Sequence, residues 1–293
     1  MLSWEKTGQK PSNGGKFMPE MPEVETVRRT LAEKLTGCSI RHVDIKLPRL
    51  IKWPSANEFQ AIITGKRILA LTRRGKYLLL HLDNDIVVII HLRMTGRLYY
   101  TTKNDKIDKF TRIVFELSNG DSLLYADTRT LGTLYAMPSE ELWRISGLFS
   151  MGPEPLSDEF TEVYLVNVLK KSKSKVKAVL LNQKYIGGLG NIYVDECLAI
   201  AGIHPERTAA SLNNLEITKL YGAINQVIAD GIEHGGTTFR DYRDGDGKSG
   251  THQHFLQVYG RKGLPCYRCG TPIAKAEVAG RGTHFCPQCQ HKE

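Results

Sequence analysis

Four cysteines stand near the end of the chain, as Cys266-x-x-Cys269 and, after sixteen further residues, Cys286-x-x-Cys289. Each pair sets two thiolates on one tight knuckle. Two knuckles supply the four sulfurs that zinc takes in a closed tetrahedral site. Two disulfides or free thiols are the alternative, and a reducing compartment favours one zinc over both. A four-sulfur site keeps no open position, so the metal is expected to be structural, supplying folding energy to a segment too short for its own core. Arg281 between the knuckles, with Arg261 and Lys262 upstream, makes the module basic and suited to a DNA backbone or groove. These residues alone describe a zinc-ribbon nucleic-acid binder and name no reaction.

A second group lies at the other end, in Met18-Pro19-Glu20-Met21-Pro22-Glu23-Val24-Glu25. Taken alone it reads as a helix N-terminus, where Pro and Glu are favoured. The Gly-rich stretch GGLGN (187–191) precedes a helical pattern, and backbone N–H groups there suit an anion. The run KKSKSKVK (170–177) reads either as a solvated face or as a phosphate grip through Lys177 or Lys175.

These groups need elements to hold them. With 293 residues, 41% of them hydrophobic, the chain can form two domains and an accessory module. Its net charge of +9 favours polyanionic partners. No apolar run approaches the ~20 residues that span a bilayer, and the first residues lack the apolar centre of a secretion signal. The expectation is a soluble, cytoplasmic protein. Residues 1–17 read as a disordered extension absent from the mature protein. Val24, Val27, Leu31 and Leu35 recur on one helical face, ended at Gly37. Strands follow at 77–82, 86–92 and 112–117, the last meeting an Asn119-Gly120 hairpin turn before SLLYAD. This predicts an N-terminal β-sandwich domain over 18–149 with a leading helix. MGPEPLSDEF (151–160) reads as a linker. Helical patterns near 159–172, 175–183, 192–202 and 213–234, with a polar, mobile loop to about 254, give a second domain over 150–255. The four-cysteine module takes 256–293. The fold class is α+β.

The N-terminal stretch resembles the signature of the formamidopyrimidine-DNA glycosylase family. So do RRGKYLLL (73–80), HLRMTG (91–96), GPEPL (152–156), GGLGNIYVDE (187–196), AGIHP (201–205), GGTT (235–238), QVYGRKG (257–263) and the cysteine module, all in the family's order. The resemblance implies a bifunctional repair glycosylase that excises 8-oxoguanine and formamidopyrimidines from double-stranded DNA. It further implies cutting of the abasic site by β,δ-elimination, a helix-two-turn-helix second domain, one zinc and a monomer. By the same resemblance Pro19 is the Schiff-base nucleophile and Glu20 a proton donor. Lys76 and Arg281 serve as proton donors and phosphate contacts. Met94, Arg129 and Leu131 fill the gap left by the everted base; the family often has Phe where Leu131 stands. Glu23, Lys177, Asn191 and Thr238 contact the DNA. A peptide bond on its nitrogen would disarm Pro19, so translation is expected to start at Met18. The related endonuclease VIII type, which prefers oxidised pyrimidines, usually has Gly where Met21 stands here. His91 reads as a strand residue.

Overall fold

The computed structural model describes residues 18–102, 107–239 and 242–292; the expected disordered extension at 1–17 lies outside them. Helix α1 (Met21–Leu35) opens the described chain and buries Val24, Val27, Leu31 and Leu35, the face its spacing announced. Next come β1 (Ile40–Ile45), β2 (Ile51–Trp53), α2 (Ala56–Ile63), β3 (Ile68–Arg74), β4 (Tyr77–Leu82), β5 (Ile86–His91), β6 (Gly96–Thr101), β7 (Thr111–Leu117), β8 (Ser122–Asp127) and β9 (Thr133–Pro138). They form two sheets, ordered β1-β7-β8-β6 and β2-β9-β5-β4-β3, antiparallel except for the β2–β9 pair. A shared core that includes Leu80, Val88, Phe115 and Leu123 fills the space between them, and α1 packs into it.

Beyond the short α3 (Ser146–Phe149), the second domain is helical. It comprises α4 (Glu162–Lys170), α5 (Val176–Leu181), α6 (Asn191–Ala201) and α7 (Asn214–Glu233). Thr161 and Asn213 cap α4 and α7 through their side chains. Helix α6 is buried on nearly every side, from Ile192 to Ala199. Its core includes Met21, so the first turn of α1 belongs to the second domain and the rest to the first. The chain ends in a hairpin of β10 (Ala274–Val278) and β11 (Arg281–Phe285). Its turn residues Ala279 and Gly280 both have positive φ, 53° and 67°, as tight hairpin turns require. The architecture is thus the expected β-sandwich, helix-two-turn-helix domain and zinc finger. Among the described residues no helix is long and apolar enough to cross a membrane.

The polar stretch after α7 is more tied down than its composition suggested. Gly245 N–H donates to Thr30 Oγ1 (2.9 Å), Tyr100 N–H donates to the Gly245 carbonyl (2.9 Å), and Lys34 pairs with Asp246.

Candidate active site and nucleic-acid interface

The centre of the molecule lies where α1 meets α6. Glu20 stands one residue before α1, and its carboxylate accepts from Ile192 N–H (3.1 Å) and Tyr193 N–H (3.4 Å). Those amides are the unsatisfied donors of the first turn of α6. Gly190, the residue at that helix's cap, has no side chain to take them. A Cβ there would lie 2.2 Å from the Glu20 carboxyl carbon, so the missing side chain is what lets Glu20 in. Lys76, in the β3–β4 turn, is buried and donates from Nζ to the Leu189 carbonyl (2.9 Å). Burial pushes the Glu20 carboxyl up to about 7, against the opposing pull of the Lys76 cation and with a further push from Glu23. Burial also lowers Lys76, and the nearby Arg281 charge adds to that.

Glu23 holds the other wall. Its Oε2 accepts from Glu20 N–H (2.8 Å), and its Oε1 from Thr237 N–H (2.6 Å) and the Tyr193 hydroxyl (2.6 Å). Burial raises its carboxyl above the usual range. Pro19, Glu23, Met94, Ile192, Thr237 and Tyr242 line one pocket. Tyr193 and Thr237 escaped the sequence reading. Thr238, which it favoured, is engaged elsewhere: its N–H donates to Gln253 Oε1 (2.9 Å) and its Oγ1 accepts from Gly250 N–H (2.9 Å). His91 is buried in β5, where its Nδ1 accepts from Arg93 N–H (3.0 Å).

Beside the pocket, a second cluster is built on Asp127, fully buried at the end of β8. Its Oδ1 accepts from Thr95 Oγ1 (2.5 Å) and Arg129 N–H (3.1 Å), and its Oδ2 from Gly132 N–H (2.9 Å). One carboxylate therefore shapes both loops that carry the expected wedge. Leu131 is 46% exposed and is no core residue. Arg129 is exposed as well, its guanidinium 3.2 Å from Met94 Sδ. Asp127 went unremarked in the sequence, although a carboxylate ending an apolar strand has to find donors.

The four cysteines converge as their spacing required: all four sulfurs lie within 4.8 Å of one another, with Cys266–Cys289 at 3.9 Å and Cys269–Cys286 at 3.5 Å. Zinc–sulfur bonds of about 2.3 Å in a tetrahedron put sulfurs about 3.8 Å apart, so the set fits one structural zinc. The module rests on α6 through Ala199, Val258, Cys266, Ile273 and Cys286. Glu196 helps to seat it. Its carboxylate accepts from the N–H groups of Gln257 (2.6 Å), Val258 (3.0 Å) and Tyr259 (2.8 Å), and burial raises it to about 7.

Lys177 corrects the sequence reading. It was expected to grip a phosphate, but its side chain is 0% exposed and its Nζ donates to Asp195 Oδ1 (2.6 Å) and Thr283 Oγ1 (2.7 Å). A lysine at the start of a short, inward-facing helix cannot reach DNA without breaking that buried pair. Lys175, the alternative, is exposed and paired with Glu206 (2.6 Å). Asn191 donates from Nδ2 to the Gly282 carbonyl (2.9 Å), while Arg281 is exposed at the start of β11.

Three family models match the chain: the formamidopyrimidine-DNA glycosylase N-terminal domain over residues 18–134, the H2TH domain of the same enzymes over 151–243, and the zinc finger found in FPG and IleRS over 263–292. The formamidopyrimidine-DNA glycosylase of Pelotomaculum thermopropionicum is 48% identical over 273 residues, covering 93% of this chain and 99% of that protein. Its Heliobacterium modesticaldum counterpart is 49% identical, covering 93% and 100%. A solved complex of Lactococcus lactis Fpg with DNA containing an abasic site superposes with a TM-score of 0.88 at 38% identity, covering 94% of this chain and all of that one. A complex of the same enzyme with N7-benzyl-Fapy-dG DNA gives 0.87.

Proposed function

The chain belongs to the formamidopyrimidine-DNA glycosylase family, and from that premise we propose that it excises 8-oxoguanine and formamidopyrimidines from duplex DNA and cuts the resulting abasic strand by β,δ-elimination. It is a base-excision repair glycosylase with AP-lyase activity. The observation that carries the finer reading is Pro19 on the wall of a pocket, next in sequence to a buried glutamate raised to about 7. A carboxyl of that strength is available in both protonation states near neutrality, as proton transfer at a sugar requires.

The chemistry runs from the Pro19 nitrogen. Its lone pair attacks C1′ of the damaged nucleotide, the N-glycosidic bond breaks, and the base leaves with the bonding pair and takes up a proton. Glu20 donates to the ring oxygen as the sugar opens, leaving an iminium ion between Pro19 and C1′. That cation acidifies C2′. Loss of a C2′ proton expels the 3′ phosphate, and loss of a C4′ proton then expels the 5′ phosphate. Lys76 and Arg281 act on those phosphates as cations and proton donors. Met94, Arg129 and Leu131 enter the space vacated by the everted base, and Arg129 faces its orphaned partner. Glu23, with Thr237 on the loop it anchors, and Asn191 complete the contacts. Zinc, held by Cys266, Cys269, Cys286 and Cys289, supplies rigidity to the hairpin and takes no part in the chemistry. The enzyme works as a cytoplasmic monomer on DNA.

A proline nitrogen within a peptide bond has no lone pair to give, so this reading requires Pro19 to be the first residue of the active chain. The test is borohydride trapping on an 8-oxoguanine duplex, with mass analysis of the cross-linked peptide. The expected result is an adduct on a peptide beginning at Pro19. Duplex binding without any adduct, from both the 293-residue chain and one begun at Met18, would replace the enzyme by a binding protein.

A further inference from the structure

Three consecutive residues of β11 are fastened to the helical domain directly after Arg281. The Gly282 carbonyl accepts from Asn191 Nδ2 (2.9 Å), Thr283 Oγ1 accepts from Lys177 Nζ (2.7 Å), and His284 N–H donates to Asp195 Oδ2 (2.8 Å). Thr283 Oγ1 donates in turn to the Arg281 carbonyl (2.9 Å). The Lys177–Asp195 pair at the middle is fully buried, 0% exposed on both sides, and Asp195 lies on α6, the helix whose first amides hold the Glu20 carboxylate. One helix thus carries the reference points for two groups that come from opposite ends of the chain.

A buried ion pair is weak evidence for stability, because desolvation consumes most of the attraction. Its geometric content is stronger. Asp195 uses one oxygen for Lys177 and the other for the hairpin backbone, so the hairpin cannot slide along α6 without stranding a buried charge. We propose that Lys177 and Asp195 are positioning residues, a buried brace that sets Arg281 at a fixed distance from the Glu20 centre and so governs the second elimination rather than the first attack. This rests on the role given to Arg281 above. It also reassigns Lys177, from a hand on the DNA to the support behind the residue that reaches it.

The test uses the zinc-loaded full chain with Pro19 free and a duplex bearing a preformed abasic site. Asp195→Asn strands Lys177, and Thr283→Val removes one acceptor while keeping the shape, so the milder variant answers if the first folds poorly. Three quantities are read: borohydride adduct yield, the ratio of δ- to β-elimination product, and hydrogen exchange of the 281–285 amides. The brace predicts faster exchange in the hairpin, a δ:β ratio down about tenfold, and adduct yield within threefold of the parent, all with zinc still bound. Unchanged exchange in both variants overturns the brace. Faster exchange with an unchanged ratio overturns its link to Arg281, as does a parallel fall of adduct and ratio, which would mark a general loss of structure. An Arg281→Ala control separates the premise: if it leaves the ratio untouched, the role of Arg281 fails, and exchange alone decides whether the brace exists.

Discussion

Glu20 and Glu196 are both buried carboxyls, both raised to about 7 by burial, and both accept backbone N–H donors across a contact made with α6. Glu20 comes from outside the helix and takes the donors of its first turn. Glu196 belongs to the helix and takes three donors from the segment that leads into the zinc module. The titration behaviour is nearly the same, and the surroundings are not. Glu20 has Lys76 and Glu23 within electrostatic reach and follows Pro19 on a pocket wall. Glu196 has backbone donors around it and the Asp195 carboxylate as its charged neighbour, which pushes it the same way as burial. A raised carboxyl therefore does not by itself mark a reacting centre; a facing cation and access to a pocket do.

The two glutamates should part most clearly when each is substituted. Glu20→Gln should lower single-turnover excision by about 10²–10⁴-fold, the usual scale for a lost proton-transfer group, with duplex affinity retained. Parent-like turnover would remove Glu20 from the chemistry. Gly190→Ala comes next. The three atoms nearest the new methyl group all belong to the Glu20 carboxylate, so the side chain should give way and the fold survive while excision falls by about 10–100-fold through mispositioning. Full activity there would mean that the carboxylate works from another place.

Glu196→Gln should have the smallest effect on chemistry, within twofold, and act on stability by about 1–3 kcal/mol through weakened hydrogen bonds. Its pH dependence has a definite sign. A folded pKa near 7, above the usual 4.5, means the native state keeps a proton that the unfolded chain has lost between those values. The stability this contributes is complete below about 4.5 and gone above about 7. The gap in Tm between parent and Glu196→Gln should therefore be wider at pH 5 than at pH 8, as thermal melts in matched buffers would report. An equal gap at both pH values would mean that Glu196 titrates normally.

Much of this was legible in the sequence where a period was long and clean. The strands at 77–82 and 122–127 fall where their apolar runs end, and α4, α6 and α7 keep close to their patterns. The short or mixed elements did not declare themselves. β2 has three residues, β3 alternates into arginines, and β6 reads GRLYYT; each is a strand because a neighbour pairs with it. In the site, the motif residues were legible by resemblance and their supports were not. Tyr193, Asp195 and Glu196 sit in a helix buried all round, where no polar face exists to set them apart. Lys177 shared a run with solvated lysines, and only the inward aim of α5 distinguishes it. Thr237 acts through Glu23, 214 residues away, and Asp127 joins its own loop to Thr95, 32 residues away, which local spacing cannot encode.

The membership of Met21 in the helical core carries a consequence in time. Chains are made from the N-terminus at roughly 5–20 residues per second, and early domains fold as they emerge. The body of α1 can settle on its sandwich early, but Glu20 must wait for Ile192, 172 residues later, and Glu23 for Thr237, 214 residues later. By the same rates, roughly ten to forty seconds pass before the first-made end meets its partners. The stretch around Glu20 and Glu23 is made early and is among the last to find its partners, so an unfinished chain on the ribosome carries these carboxyls without the contacts that hold them.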